Sequence, residues 1–84
     1  MQNQAICAGS FDPPTIGHLN IIGRGLKIFD KLIVAVAINT SKDPIFTPQE
    51  RVEMLEEIFK DQENVEIDAF EGLLVNYAKK RGTN

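Results

Sequence analysis

Eighty-four residues hold at most one small domain, near the size at which a single core is only marginally stable. Apolar residues at 43% and charged residues at 25% exclude a disordered chain. Nine basic against twelve acidic side chains leave a net charge of −3, which excludes general attraction to nucleic acid or an anionic membrane; any phosphate binding has to be local and geometric.

The chain opens with a short apolar run, Gln4 to Ala8, stopped by Gly9, which reads as a buried strand ending in a sharp turn. It carries the single cysteine, Cys7, which cannot close an intrachain disulfide and reads as a buried strand residue rather than a nucleophile. With no signal-peptide pattern at the start, the expected setting is a reducing cytoplasm. Residues 17 to 29 form a predicted helix, with Leu19, Ile22, Leu26 and Phe29 at three- and four-residue steps. Gly23 and Gly25 weaken it by roughly 1 kcal/mol each relative to alanine, so the expectation rests on the pattern.

Leu32 to Ile38 is apolar on both alternating faces, as in a parallel strand covered on both sides, and is too short to span a bilayer. A polar loop follows from Asn39 to Phe46. Thr47-Pro48-Gln49-Glu50 is a strong helix start: a capping threonine, proline at the first helical position, and a glutamate that closes a capping box. This helix is expected to reach about Lys60, with Val52, Leu55, Ile58 and Phe59 as its apolar stripe.

Val65 to Phe70 alternates, with Val65, Ile67 and Ala69 inward and Glu66 and Asp68 on a solvated face, as expected near a sheet edge. The last helix is predicted from Leu73 to Arg81, with Leu73, Leu74, Tyr77 and Ala78 facing the core, the Tyr77 hydroxyl reaching water, and Gly82 as C-terminal cap. The order β-α-β-α-β-α predicts an α/β fold, half of a doubly wound Rossmann-like parallel sheet with right-handed crossovers. No composition shift marks a boundary, so residues 1–84 read as part of a single domain.

The chemistry concentrates between Gly9 and His18. Ligands of open α/β sheets bind outside the carboxyl ends of the strands, where helix N-termini attract phosphate. Gly9 and Gly17 let backbone approach a ligand, Ser10 offers a hydroxyl, and His18 aims a ring nitrogen from the first helical turn. A histidine at a helix start also reads as a cap, and Asp12 reads as a turn-bonding carboxylate rather than a base or metal ligand. Arg51 reads as a structural or interface ion pair.

The segment Gly9, Phe11, Asp12, Pro13, Thr15, Gly17, His18, matching G-x-F-D-P-x-T-x-G-H, resembles the T-x-G-H nucleotidyltransferase superfamily. Thr15, the run Ser41-Lys42-x-Pro44-x-Phe46-Thr47-x-x-Glu50-Arg51, and Phe70-Glu71-Gly72-Leu73-Leu74 resemble its phosphopantetheine adenylyltransferase branch. The resemblance implies ATP and 4′-phosphopantetheine as substrates, with Mg²⁺ accompanying the triphosphate and no metal ligands from these residues. It implies that Ser10, Phe11 and His18 contact ATP, with His18 the catalytic group at the α-phosphate. It further implies that Ser10, Lys42 and Leu74 bind the phosphopantetheine.

Ile16 and Thr40 depart from the family pattern, where a polar residue and proline are frequent. The pattern also continues into R-G-L-R and I-S-S-T-x-x-R segments that these 84 residues do not contain. The expectation is therefore the N-terminal part of the nucleotidyltransferase domain, with the C-terminal half of the fold absent. Such a chain is expected to be inactive alone, and held by homo-oligomerisation (a hexamer in the complete enzyme) or by a complementary chain. The competing expectations are another adenylyl- or cytidylyltransferase, or a nucleotide-binding or assembly module that has lost catalysis.

Overall fold

The computed structural model describes residues 3–38 and 45–82. Six elements alternate along it: β1 Gln4–Gly9, α1 Ile16–Ile28, β2 Lys31–Ile38, α2 Pro48–Ile58, β3 Val65–Glu71 and α3 Leu74–Lys80. The three strands are parallel and lie in the order β1-β2-β3. Continuously apolar β2 is the central strand of the three and is buried from Leu32 to Val36, while alternating β3 is an edge, as its pattern predicts.

Two cores separate across the sheet. On one face Leu32, Val34 and Val36 meet Ile22 of α1, Leu55 of α2 and Phe11, with Ala5, Cys7, Val65, Ile67 and Ala69 from the flanking strands. On the other, Ile33 and Ala35 meet Phe70 and Tyr77, so α3 covers that face alone among the described residues. Two helices on one face and the third on the other is the winding that a right-handed β-α-β-α-β-α chain produces.

Several helix positions differ from the periodic reading. In α1 the cap is Thr15 and the helix starts at Ile16. In α2 the sheet-facing set is Arg51, Val52, Leu55 and Phe59, while Ile58 is 47% exposed. Leu73 and Leu74 do not face the core either; both are exposed at the start of α3, which is anchored through Tyr77.

Nor is the outer face of β3 simply solvated. Arg81 pairs with Glu66 at 2.6 Å and Asp68 at 3.0 Å, Lys31 reaches Glu66 at 2.9 Å, and the buried Tyr77 hydroxyl donates to Asp68 at 2.7 Å. Tyr77 also stacks on Phe70, with ring centroids 4.7 Å apart. Charges at alternate strand positions look solvated in sequence; a tyrosine and an arginine one helical turn apart close over them here.

Candidate active site at the carboxyl edge of the sheet

The site begins where β1 ends. Gly9 pairs with Val36 of β2, which in turn pairs with Ala69 of β3, so the turn after Gly9 leaves the sheet slightly below the tips of its neighbours. Ser10 is exposed there, and Phe11 is completely buried with a left-handed backbone, φ 48°. A left-handed non-glycine residue costs about 1–2 kcal/mol, and burying a phenylalanine ring contributes roughly 1.5–3 kcal/mol. Ring burial thus little more than offsets the backbone strain. Gly9 leaves room for that ring: a Cβ added at Gly9 would stand 3.3 Å from Phe11 Cε2.

Two further side chains hold the turn. The carboxylate of Asp12 accepts from the amides of Ile45 and Phe46, both at 2.8 Å. The guanidinium of Arg51 donates to the carbonyl of Ser10 at 2.9 Å and to that of Thr47 at 3.3 Å. Arg51 is only 4% exposed and makes no ion pair among the described residues, contrary to the expected one, because neutral carbonyls surround it. Asp12 is the turn-bonding carboxylate expected, though its partners lie across the fold rather than in its own turn.

Thr15 and His18 then close a capping box in which histidine takes the place of the usual glutamate. The amide of His18 donates to Thr15 Oγ1 at 3.3 Å, and the amide of Thr15 donates to His18 Nδ1 at 2.9 Å. A backbone N–H facing Nδ1 fixes the tautomer of the neutral ring: Nδ1 accepts, so the proton sits on Nε2. The ring leans on Phe11, with centroids 4.7 Å apart and planes at 53°. His18 is therefore a cap through one nitrogen and keeps a donor on the other. The α1 N-terminus beside it presents unpaired N–H groups and the positive end of its dipole to an anion.

Ser10, Phe11 and His18 thus come together at the end of β1, with Phe11 offering backbone only, since its ring is in the core. Leu74, 46% exposed, stands at the same edge of the sheet after β3. Lys42 lies outside the described residues. Cys7 is half-buried against the core, and burial pushes its thiol pKa up, as befits an inert strand residue. No group of three or more His, Cys, Asp or Glu that could hold a metal gathers among the described residues.

Comparison with known proteins takes in this turn together with nearly all the rest of the chain. The family described as cytidylyltransferase-like matches residues 6–84. The chain belongs to that family.

Among curated relatives, this cytidylyltransferase-like chain is 62% identical over 76 residues to the phosphopantetheine adenylyltransferase of Caldanaerobacter subterraneus subsp. tengcongensis, covering 90% of this chain and 48% of the relative. It is 56% identical over 81 residues to the enzyme of the same name from Desulfatibacillum aliphaticivorans, covering 96% and 46%. It is 51% identical over 84 residues to that of Syntrophus aciditrophicus, covering 100% and 51%. The chain spans about half the length of the curated relatives it matches.

Sequence reasoning missed Arg51 as a partner of the turn after β1. The apolar period of α2 carried no sign of it, because an arginine is not counted in an apolar stripe, and only the fold buries Arg51 together with Leu55.

Proposed function

We propose that this chain provides the histidine side of an adenylyl-transfer site, joining the adenylyl group of ATP to 4′-phosphopantetheine in coenzyme A biosynthesis. The observation that carries the reading is the Thr15–His18 box, which holds the imidazole so that Nε2–H is the nitrogen left to donate outward, beside the α1 N-terminus and Ser10. The names of its relatives, all phosphopantetheine adenylyltransferases at 51–62% identity, support the choice of substrates.

In the proposed reaction a phosphate oxygen of 4′-phosphopantetheine attacks the α-phosphorus of ATP. The bond from that phosphorus to the bridging oxygen breaks, and pyrophosphate leaves with the electron pair, giving dephospho-coenzyme A. Little covalent chemistry is asked of the protein, so positioning and charge stabilisation supply the rate. His18 donates to an α-phosphate oxygen as charge builds on it, while Ser10 and the Phe11 backbone hold the nucleotide near the incoming phosphate. Lys42 neutralises the phosphate of 4′-phosphopantetheine, and Leu74 lines its apolar arm. Mg²⁺ carried on the triphosphate would supply charge neutralisation for the leaving pyrophosphate, with no ligand expected from these residues. Both substrates are water-soluble phosphates, consistent with action in the cytoplasm, and no helix among the described residues is long and apolar enough to cross a membrane.

Pyrophosphate release from ATP, dependent on added 4′-phosphopantetheine, tests the reaction in the chain completed by the C-terminal half of a relative; replacing ATP with CTP tests the nucleotide. His18→Ala is expected to lower the rate by about 10²–10³, the usual cost of one donor at a developing oxyanion. ATP binding without release under any condition would instead identify a nucleotide-binding or assembly module. Absence of both would sink the reading.

A further inference from the structure

We propose that Arg51 and Asp12 are positioning residues that together hold the Ser10–Pro14 turn in its working shape and, through Phe11, set the orientation of the His18 ring; this rests on the adenylyl-transfer reading above. Arg51 is the one buried charged side chain among the described residues, and carbonyl groups rather than a carboxylate receive it. A buried guanidinium without a counter-ion is costly and a poor choice for stability alone. Its bond to Ser10 spans 41 residues of sequence, and those from Asp12 to Ile45 and Phe46 span 33 and 34.

The two pins straddle Phe11. Arg51 takes the carbonyl of the residue before it, and Asp12 is the residue after it. Between them sits the left-handed backbone, whose ring is fully buried and forms the surface against which the imidazole leans at 4.7 Å. Releasing either pin frees the strained residue to relax toward the ordinary φ region, and its ring then moves away from His18. The bond from the Thr15 amide to His18 Nδ1 would lose the side wall that keeps the ring in line. The charge of Arg51 adds to this: its guanidinium bonds the Ser10 carbonyl, and no ion pair among the described residues offsets it.

Nitrogen-15 NMR of the His18 ring and ATP titration of the intact chain test the proposal in Arg51→Lys and Asp12→Asn. Lysine keeps the charge but reaches a single carbonyl. Asparagine keeps the shape but turns an NH₂ toward one of the two amides. Each variant is expected to keep a native circular-dichroism spectrum, to shift its ring signals from the Nε2-protonated pattern toward an average of tautomers, and to bind ATP roughly tenfold more weakly. Folded variants with wild-type ring signals and ATP affinity would overturn it. If the wild-type chain binds no ATP, the adenylyl-transfer reading falls while the ring signals still decide the positioning role. Should Arg51→Lys not fold, Asp12→Asn decides with the same two measurements, since its site is half-buried and the replacement isosteric.

Discussion

His18 caps the backbone with one ring nitrogen and, in the proposed reaction, serves the site with the other; the two tasks separate by substitution. His18→Asn places an acceptor near the position of Nδ1 and removes the outward donor. It is expected to keep thermal stability within about 0.5 kcal/mol while abolishing the gain from His18 in turnover. Thr15→Ala removes the cap oxygen that accepts from the His18 amide, and is expected to cost about 1 kcal/mol in denaturant unfolding. A difference in the opposite sense, with His18→Asn unfolding easily and Thr15→Ala stable, would mean that the box is not what holds the ring. Among single residues, the motif itself was plain in the sequence because its glycines, prolines and histidine are spaced by one local turn. Arg51 was not, because the carbonyls it serves belong to a turn 41 residues earlier and to its own cap.

Within elements, the two glycines of α1 look alike in sequence and differ in place. A Cβ at Gly23 meets nothing within 4 Å, whereas one at Gly25 would stand 3.2 Å from Leu32 Cδ1. Gly23→Ala is therefore expected to stabilise by roughly 0.5–1 kcal/mol through helix propensity. Gly25→Ala should forfeit that gain, since Leu32 is buried in β2 and has to give way against its neighbours. Thermal unfolding of the pair checks this, and equal stabilisation by both would contradict the close packing of α1 on β2. The helices and strands were all legible in the sequence, because capping boxes and apolar periods are local. Their bounds and faces shifted where a residue answers to distant groups. Ile58 was read as core from its period, yet the sheet lies on the Arg51–Leu55 side.

At the level of the molecule, α3 is held to the sheet by one buried tyrosine and a network of charges, so its attachment depends on pH. Arg81 and Lys31 hold the Glu66 carboxyl below its usual range. Burial pushes Asp68 upward, but the bonds from Tyr77, the Ala69 amide and Arg81 outweigh it, leaving Asp68 lowered as well. A depressed carboxylate pKa stabilises the fold above the unfolded value near 4 and loses that contribution as pH falls through the folded one. Tyr77 runs the other way: burial, then its bond to Asp68, push it up to about 12. Its contribution is complete below the unfolded value near 10 and is lost as pH rises from there to about 12. Stability measured against pH should thus fall at both extremes. Tyr77→Phe should flatten the alkaline limb and cost about 1 kcal/mol at neutral pH, the net worth of one hydrogen bond. An unchanged alkaline limb in that variant would disconnect Tyr77 from it.

The order of elements, their expected parallel winding and the capped turn after β1 follow from the sequence, since each is marked by residues within a turn or two of one another. Pattern also sufficed to mark β2 as covered on both faces and β3 as near an edge, because burial on two faces or one leaves its own period. The fold alone settled which side chains hold that turn in shape, which face of α3 meets the sheet, and why Glu66 and Asp68 are paired rather than solvated. Those outcomes depend on contacts between residues 9 to 41 positions apart, and apolar periodicity carries no record of a partner at that distance.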